Sequence, residues 1–168
     1  MMVLRPTAKL LARMGMKIEP QPSESTTRLG DWFATLLQVR SGRFVLAIAG
    51  TTLLPVVVSG RELGTLASRL ALAVGQVLTA LSVAPEAVER ECAAMADVRI
   101  AATDDRSTVG VMTDLLHLLR FELQHDPRAT PLELSLKLAD TPIVARKGFP
   151  DRDTRRLFGV DVGPRRFN

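Results

Sequence analysis

Aromatic residues make up only 4% of the 168-residue chain, with Trp32 the sole tryptophan and no tyrosine at all. Aliphatic side chains must therefore fill the interior. Little ring surface is left for stacking unpaired bases, which argues against a single-stranded nucleic-acid binder. Cysteine is nearly missing as well. Cys92 stands alone, so neither an internal disulfide nor a cysteine zinc cluster can form. Its simplest role is that of a small buried hydrophobe on a helix. The N-terminus, Met-Met-Val-Leu-Arg-Pro-Thr, is too short in apolar residues for a secretory signal. The apolar run from Phe44 to Val58 is interrupted by Gly50, Thr51, Thr52 and Pro55, and falls short of the roughly 20 residues a membrane-spanning helix needs. A cytosolic protein without membrane contact is the expectation. Also missing are the Gly-x-Ser-x-Gly elbow, His-Glu-x-x-His, Gly-x-Gly-x-x-Gly and EF-hand patterns. No cofactor and no metal is expected.

What is present fits a globular chain: 46% hydrophobic and 24% charged residues. The length suits one domain with a sizeable core. The expected layout is a single domain over residues 1–150, with an exposed loop at about 16–28, then a basic irregular tail over 151–168. The net charge of +4 is unevenly spread. Residues 1–140 hold 15 Lys/Arg and 15 Asp/Glu, whereas the remainder holds seven basic residues against three acidic ones. The seven are Arg146, Lys147, Arg152, Arg155, Arg156, Arg165 and Arg166. Such a tail can contact phosphates without base specificity, although a solvated terminus with internal charge pairing needs less.

Local patterns predict an α+β fold: a mostly antiparallel sheet, made of a hairpin meander plus an N-terminal and one further strand, packed against four to five helices. Met2 to Arg5 reads as a strand, and Thr7 caps a brief helix that stops at Gly15. Trp32 to Val39, Phe44 to Ala49 and Leu53 to Val58 read as successive strands, with Ser41-Gly42 as a tight turn. Pro55 cannot donate to a central ladder, which places its strand at an edge or on a bulge. Residues 61–81 have helical spacing, and Gly64 and Gly75 within them imply close packing against the sheet. Pro85 opens a further helix with Val88, Cys92 and Met95 on one face. Val98, Ile100 and Ala102 suggest another strand. Thr130-Pro131-Leu132-Glu133 has the layout of a capping box. The alternating leucines at 132, 134, 136 and 138 suggest a strand instead, and the cap signal favours helix.

The stretch from Asp104 to Leu123 carries the most chemistry. Its core face is Val109, Met112, Leu116, Leu119 and Leu123. Beside that face, Gly110, Asp114, His117 and Phe121 fall within one helical stripe roughly 60° wide. Asp114 and His117 are three apart and can touch, and a carboxylate next to imidazole is what a general acid or base needs. An ordinary surface ion pair explains the same spacing. Ser107 is the expected N-cap; free amides there, with Arg106 adding charge, can hold an anion. The glycine spacing and lysine of a phosphate-binding P-loop are missing. Asp31 and Trp32 follow Gly30 at the start of a strand, where they serve either as turn and core residues or as a wall facing the Arg106 turn.

Three blocks occur in the order found in a group of small prokaryotic proteins: Leu29-Gly30-Asp31-Trp32-Phe33-Ala34-Thr35-Leu36-Leu37, Arg106-Ser107-Thr108-Val109-Gly110-Val111-Met112-Thr113-Asp114 and Leu138-Ala139-Asp140-Thr141-Pro142. The chain up to about Pro150 thereby resembles the family grouped as domain of unknown function 6933, departing from the family's pattern at Thr113. The resemblance implies a small bacterial protein and directs attention to Asp31, Trp32, Arg106, Gly110 and Asp114 without giving them roles. The favoured function is a non-catalytic binding or accessory module that recognises a protein or an anionic ligand through Asp31, Trp32, Arg106, Ser107 and Gly110. Two other readings stay open. One is a nucleic-acid-processing, toxin-like or defence-associated hydrolase with His117 as base, Asp114 orienting it and Arg106 on a phosphate. The other is an electrostatic nucleic-acid binder acting through the basic tail.

Overall fold

The computed structural model describes residues 1–20 and 24–163. Its strands are β1 (Met2–Pro6), β2 (Trp32–Val39), β3 (Gly42–Ala49), β4 (Pro55–Ser59) and β5 (Val98–Ile100). Its helices are α1 (Ala8–Met14), α2 (Leu66–Ala80), α3 (Pro85–Ala94), α4 (Arg106–His125), α5 (Pro131–Ala139) and α6 (Pro150–Leu157), with short 3-10 turns at Leu63–Thr65 and Val144–Arg146.

The strands form one sheet in the order β4-β3-β2-β1-β5. A two-residue turn, Arg40-Ser41, joins β2 to β3, and the pairings β2–β3 and β3–β4 are antiparallel. β1 runs parallel to both of its neighbours. The α+β class holds, but the sheet is mixed, even though the long ladders are antiparallel. Connection length explains the difference. Short links force antiparallel neighbours, whereas the stretches from β1 to β2 and from β4 to β5 are long enough for parallel crossovers.

Both faces of the sheet are covered. Trp32, Ala34, Leu36, Val45, Ala47 and Val56 point to one side, where Leu66, Leu70, Val74, Val77 and Leu78 of α2 meet them. Phe33, Leu37, Leu46, Ile48 and Val57 point to the other, against Val111, Met112, Leu115, Leu119 and Leu123 of α4. On α4 the buried stripe thus runs through Val111 and Leu115, with Val109 and Leu116 only partly covered. The α2 region, Leu63–Ala80, is long and apolar enough to cross a membrane by length and composition alone. In the fold it is a sheet-covering helix with one buried face.

Pro55 does lie at an edge, since β4 ends the sheet. That edge is closed by α5, whose buried Ser135 accepts the Val57 N–H at 2.8 Å and donates to Pro131 O at 2.7 Å. α5 is a helix, with both halves of the Thr130/Glu133 capping box formed. Gly15 ends α1 in the left-handed conformation, its N–H donating to Leu11 O.

Four expectations need correction. Arg61 to Thr65 lies outside α2, and Gly64 faces open space. Gly75 does pack closely, but against Cys92 of α3 instead of the sheet: a Cβ there would lie 3.0 Å from the Cys92 Sγ. There are six helices among the described residues instead of four to five, and the tail expected to be irregular contains α6. Pro150 at its first turn, Asp151 and Asp153 beside it and Arg155 and Arg156 at its far end suit the helix dipole. Thr154, fully buried, then ties α6 to the body by a 2.9 Å bond to the Thr52 hydroxyl.

Candidate functional site

Four chain segments meet at one end of the sheet. Arg5, near the end of β1, points to the α4 side, its guanidinium carbon 6.0 Å from the centre of the Phe33 ring. Its Nε donates to Asp31 Oδ2 at 2.6 Å, and its Nη1 donates to Ala102 O and lies 3.1 Å from Asp104 Oδ2. The Thr103 hydroxyl donates to Pro6 O at 3.1 Å, stitching the segment after β5 to the end of β1. The cation thus stands where two carboxylates from distant sequence positions converge. Its side chain is 15% exposed, against 25% for Asp31 and 65% for Asp104.

The turn that presents Asp31 is fixed by close backbone approach. Gly30 has φ +77°, and a Cβ there would meet Thr51 Oγ1 at 2.7 Å, so glycine serves both needs. The Gly50 N–H donates to Asp31 O at 2.7 Å and the Thr51 N–H to Leu29 O at 3.1 Å. From the opposite side, the carboxylate of Glu91 on α3, 3% exposed, accepts the Arg28 N–H at 2.9 Å and the Leu29 N–H at 3.0 Å. Arg146 closes the ring by donating to Thr51 O at 3.0 Å and Gly50 O at 3.4 Å.

α4 begins beside this cluster, and its N-cap is Asp105, not Ser107. One Asp105 oxygen accepts the Ser107 N–H at 2.9 Å and the Thr108 N–H at 3.1 Å, while the other accepts the Thr108 hydroxyl. A carboxylate with two oxygens can take all three donors, which the Ser107 hydroxyl cannot. The Thr108 hydroxyl and then its backbone N–H hold Asp105 below the usual carboxylate range, helped by the Ser107 N–H and the charge of Arg146; slight burial opposes this. The helix start is therefore already occupied by an internal anion.

Of the residues singled out from sequence, Asp31 joins the cluster directly. Arg106 and Ser107 are exposed in the first turn of α4, directly after Asp105. Gly110 is exposed with open space where a Cβ would stand. Asp114 and His117 are exposed on the same helix, and neither hydrogen bonds nor pairs ionically with the other. They lie roughly 12 and 16 Å along the axis from Arg106, at 1.5 Å per residue. Trp32 points the opposite way from Asp31, is fully buried in the α2-side core and keeps its indole N–H without a partner. It is not a wall of this cluster.

The basic tail is partly committed to the body. Besides Arg146, Arg152 donates to Gly163 O and Arg156 lies 3.3 Å from Asp153. Arg155 is half-buried, with its Nε lacking a partner. Lys147 is exposed at the tip of the turn. Arg165 and Arg166 lie outside the described residues.

Sequence reasoning missed Arg5 and Glu91. Glu91 had a usable signal, because it occupies the same helical stripe as Val88, Cys92 and Met95 and so had to be a buried acid. Nothing local marked Arg5, whose partners are 26 and 99 positions away in sequence.

The sheet covered on both faces, with an ion-paired cluster at one end, defines an α+β protein. Residues 3–152 match the family described as domain of unknown function 6933, and the chain belongs to that family. The match includes all three blocks noted in the sequence and stops short of Arg155 and Arg156. No curated protein and no solved structure matches the chain.

Proposed function

We propose that this protein is a non-catalytic binding or accessory module of the bacterial cytosol. Its ligand is another protein, recognised at the sheet end where Asp104, Arg106 and Ser107 face solvent around the Arg5–Asp31 pair. The observation that carries this reading is the state of the α4 N-terminus. A phosphate or other anion would need its amides, and the Asp105 carboxylate already holds them. What remains is a rigid mosaic of both signs, with Asp104 and Arg106 outermost. Such a surface suits the polar rim of a protein interface, where charge pattern sets register and partner choice.

The hydrolase reading draws less support, because Asp114, His117 and Arg106 are strung along an exposed helix face instead of gathered around one reacting atom. The tail reading is weakened by the contacts of Arg146, Arg152 and Arg156.

The test is charge reversal at the mosaic. Arg106→Glu together with Asp104→Lys should abolish co-purification of a stoichiometric partner from the native host, with an unchanged circular dichroism spectrum. Nucleic-acid cleavage by the purified protein that disappears in folded His117→Ala would replace this reading with the hydrolase.

A further inference from the structure

The outer face of α2 is unlike the rest of the surface. Residues 70–84 contain no charged side chain, and only 28% of the apolar Leu63–Ala80 window is buried. Leu72 sits in the middle of that face, 65% exposed. A groove of about 580 Å³ runs on one side of it, lined by Ala71, Gly75, Thr79, Val88 and Cys92. A second of about 190 Å³ lies on the other, toward Val57, Ala73 and Leu132. A projecting aliphatic residue and an empty apolar groove therefore occupy the same patch.

We infer that this face pairs with the same face of a second copy of the chain. Self-pairing about a two-fold axis requires a patch complementary to itself, and a Leu72 knob beside a groove of small residues meets that requirement. The missing charge points the same way. Two identical copies bring like charges together wherever a charged patch faces itself, and residues 70–84 have none to repel; Arg69, which lines the second groove, turns its guanidinium back onto Ser59 O and Glu62 O. The nearest charged positions along the chain are Arg69, just before this stretch, and Glu86 and Glu89, just after it on exposed α3. They are of mixed sign.

The area is adequate. At 1.5 Å per residue α2 is about 22 Å long, and with α3 and α5 packed beside it at helix spacings of 8–10 Å the face is about 28 Å wide. The projected area of roughly 600 Å² approaches the ~800 Å² per partner of a standard stable interface. The inference does not rest on the proposed partner at the α4 N-terminus, because α2 and α4 cover opposite faces of the sheet.

Light scattering on the full chain over about a hundredfold range of concentration tests it. The mass should rise from 18.3 kDa toward twice that value, while Leu72→Glu stays at the lower mass throughout. Leu72 is exposed, so the variant should keep its circular dichroism spectrum. As a second readout that needs no loss of folding, Gln76→Cys in a Cys92→Ala background should oxidise to a disulfide-linked dimer. Arg106→Cys in the same background should not. A wild type that stays monomeric overturns the inference, as does a Leu72→Glu variant that still dimerises or cross-linking as efficient from position 106. Flotation with phosphatidylcholine–phosphatidylglycerol vesicles is the competing arm: monomeric protein that floats through Leu72 would assign the face to lipid instead.

Discussion

The Glu91 carboxylate accepts the N–H of Leu29 at 3.0 Å from inside the protein, while its other oxygen takes the N–H of Arg28. One side chain on α3 thus fixes the turn that, two residues on, presents Asp31 to Arg5. Deleting it leaves two amides without acceptors in a site that is 3% exposed. Glu91→Ala should destabilise the protein by on the order of 2–6 kcal/mol, counting each orphaned amide at ~1–3. Glu91→Gln keeps one acceptor but turns an N–H₂ toward the other amide, and should lose about 1–3 kcal/mol. Urea denaturation checks both; a Gln variant as stable as wild type would remove Glu91 from this role.

Arg5 offers a test of the cluster itself. Its guanidinium serves Asp31, Asp104 and the Ala102 carbonyl at once, a fork that a lysine ammonium cannot reproduce. Arg5→Ala leaves two aspartates facing each other. Partial exposure screens the loss, so about 1–3 kcal/mol is expected. Arg5→Lys should restore part of the stability and not all of it. Equal stability of the Lys variant and wild type in denaturant titration would show that the fork geometry is not used.

Much of this architecture was legible because its signals are local. Thr130 and Glu133 announced a helix against the alternating leucines, and the box they form is present. Pro55 announced an edge strand. What sequence could not supply was the partner of each element. The parallel pairing of β1 depends on crossovers whose direction leaves no periodic mark. The Ser135–Val57 bond joins positions 78 apart, and the Arg5–Asp104 pair joins positions 99 apart. For the candidate site the same limit applied. Asp31 was identified by its turn, but the helix start went to Ser107, since Asp and Ser are about equally favoured as caps and local sequence does not choose between them. That choice was overturned by the reach of a carboxylate one turn down to the Thr108 hydroxyl.

Asp105 predicts a pH effect of definite sign. Its folded-state carboxyl is held below the usual carboxylate range, chiefly by the Thr108 hydroxyl. A group depressed on folding contributes stability that is fully present above its unfolded pKa, about 3.9. That contribution is lost as the pH falls through the lower folded value. Asp105→Ala should cost about 0.5–2 kcal/mol near neutral pH, as for other N-caps, and the deficit relative to wild type should shrink in acid. Asp105→Asn should keep part of the cap and flatten that pH dependence. Denaturant titrations at neutral pH and near pH 3 decide it; a deficit of equal size at both would sink the argument.

Gly75 and Cys92 should behave as a coupled pair. Alanine in a helix interior is favoured over glycine by about 1 kcal/mol, so Gly75→Ala alone looks stabilising. Its new Cβ, however, would sit 3.0 Å from the Cys92 Sγ, closer than the two atoms rest comfortably, and α3 must give. In the wild-type background the gain and the crowding should nearly cancel or leave a net loss. Replacing Cys92 by Ala removes the sulfur, and Gly75→Ala in that background should recover most of the ~1 kcal/mol. The double-mutant cycle should therefore show a coupling on the order of 0.5–1.5 kcal/mol. Because Gly75 also lines the apolar groove beside Leu72, the unfolding curves belong at low protein concentration, where any pairing of copies contributes least. Additive effects of the two substitutions would mean that α3 moves freely away from α2, and that the glycine is there for some purpose other than fit.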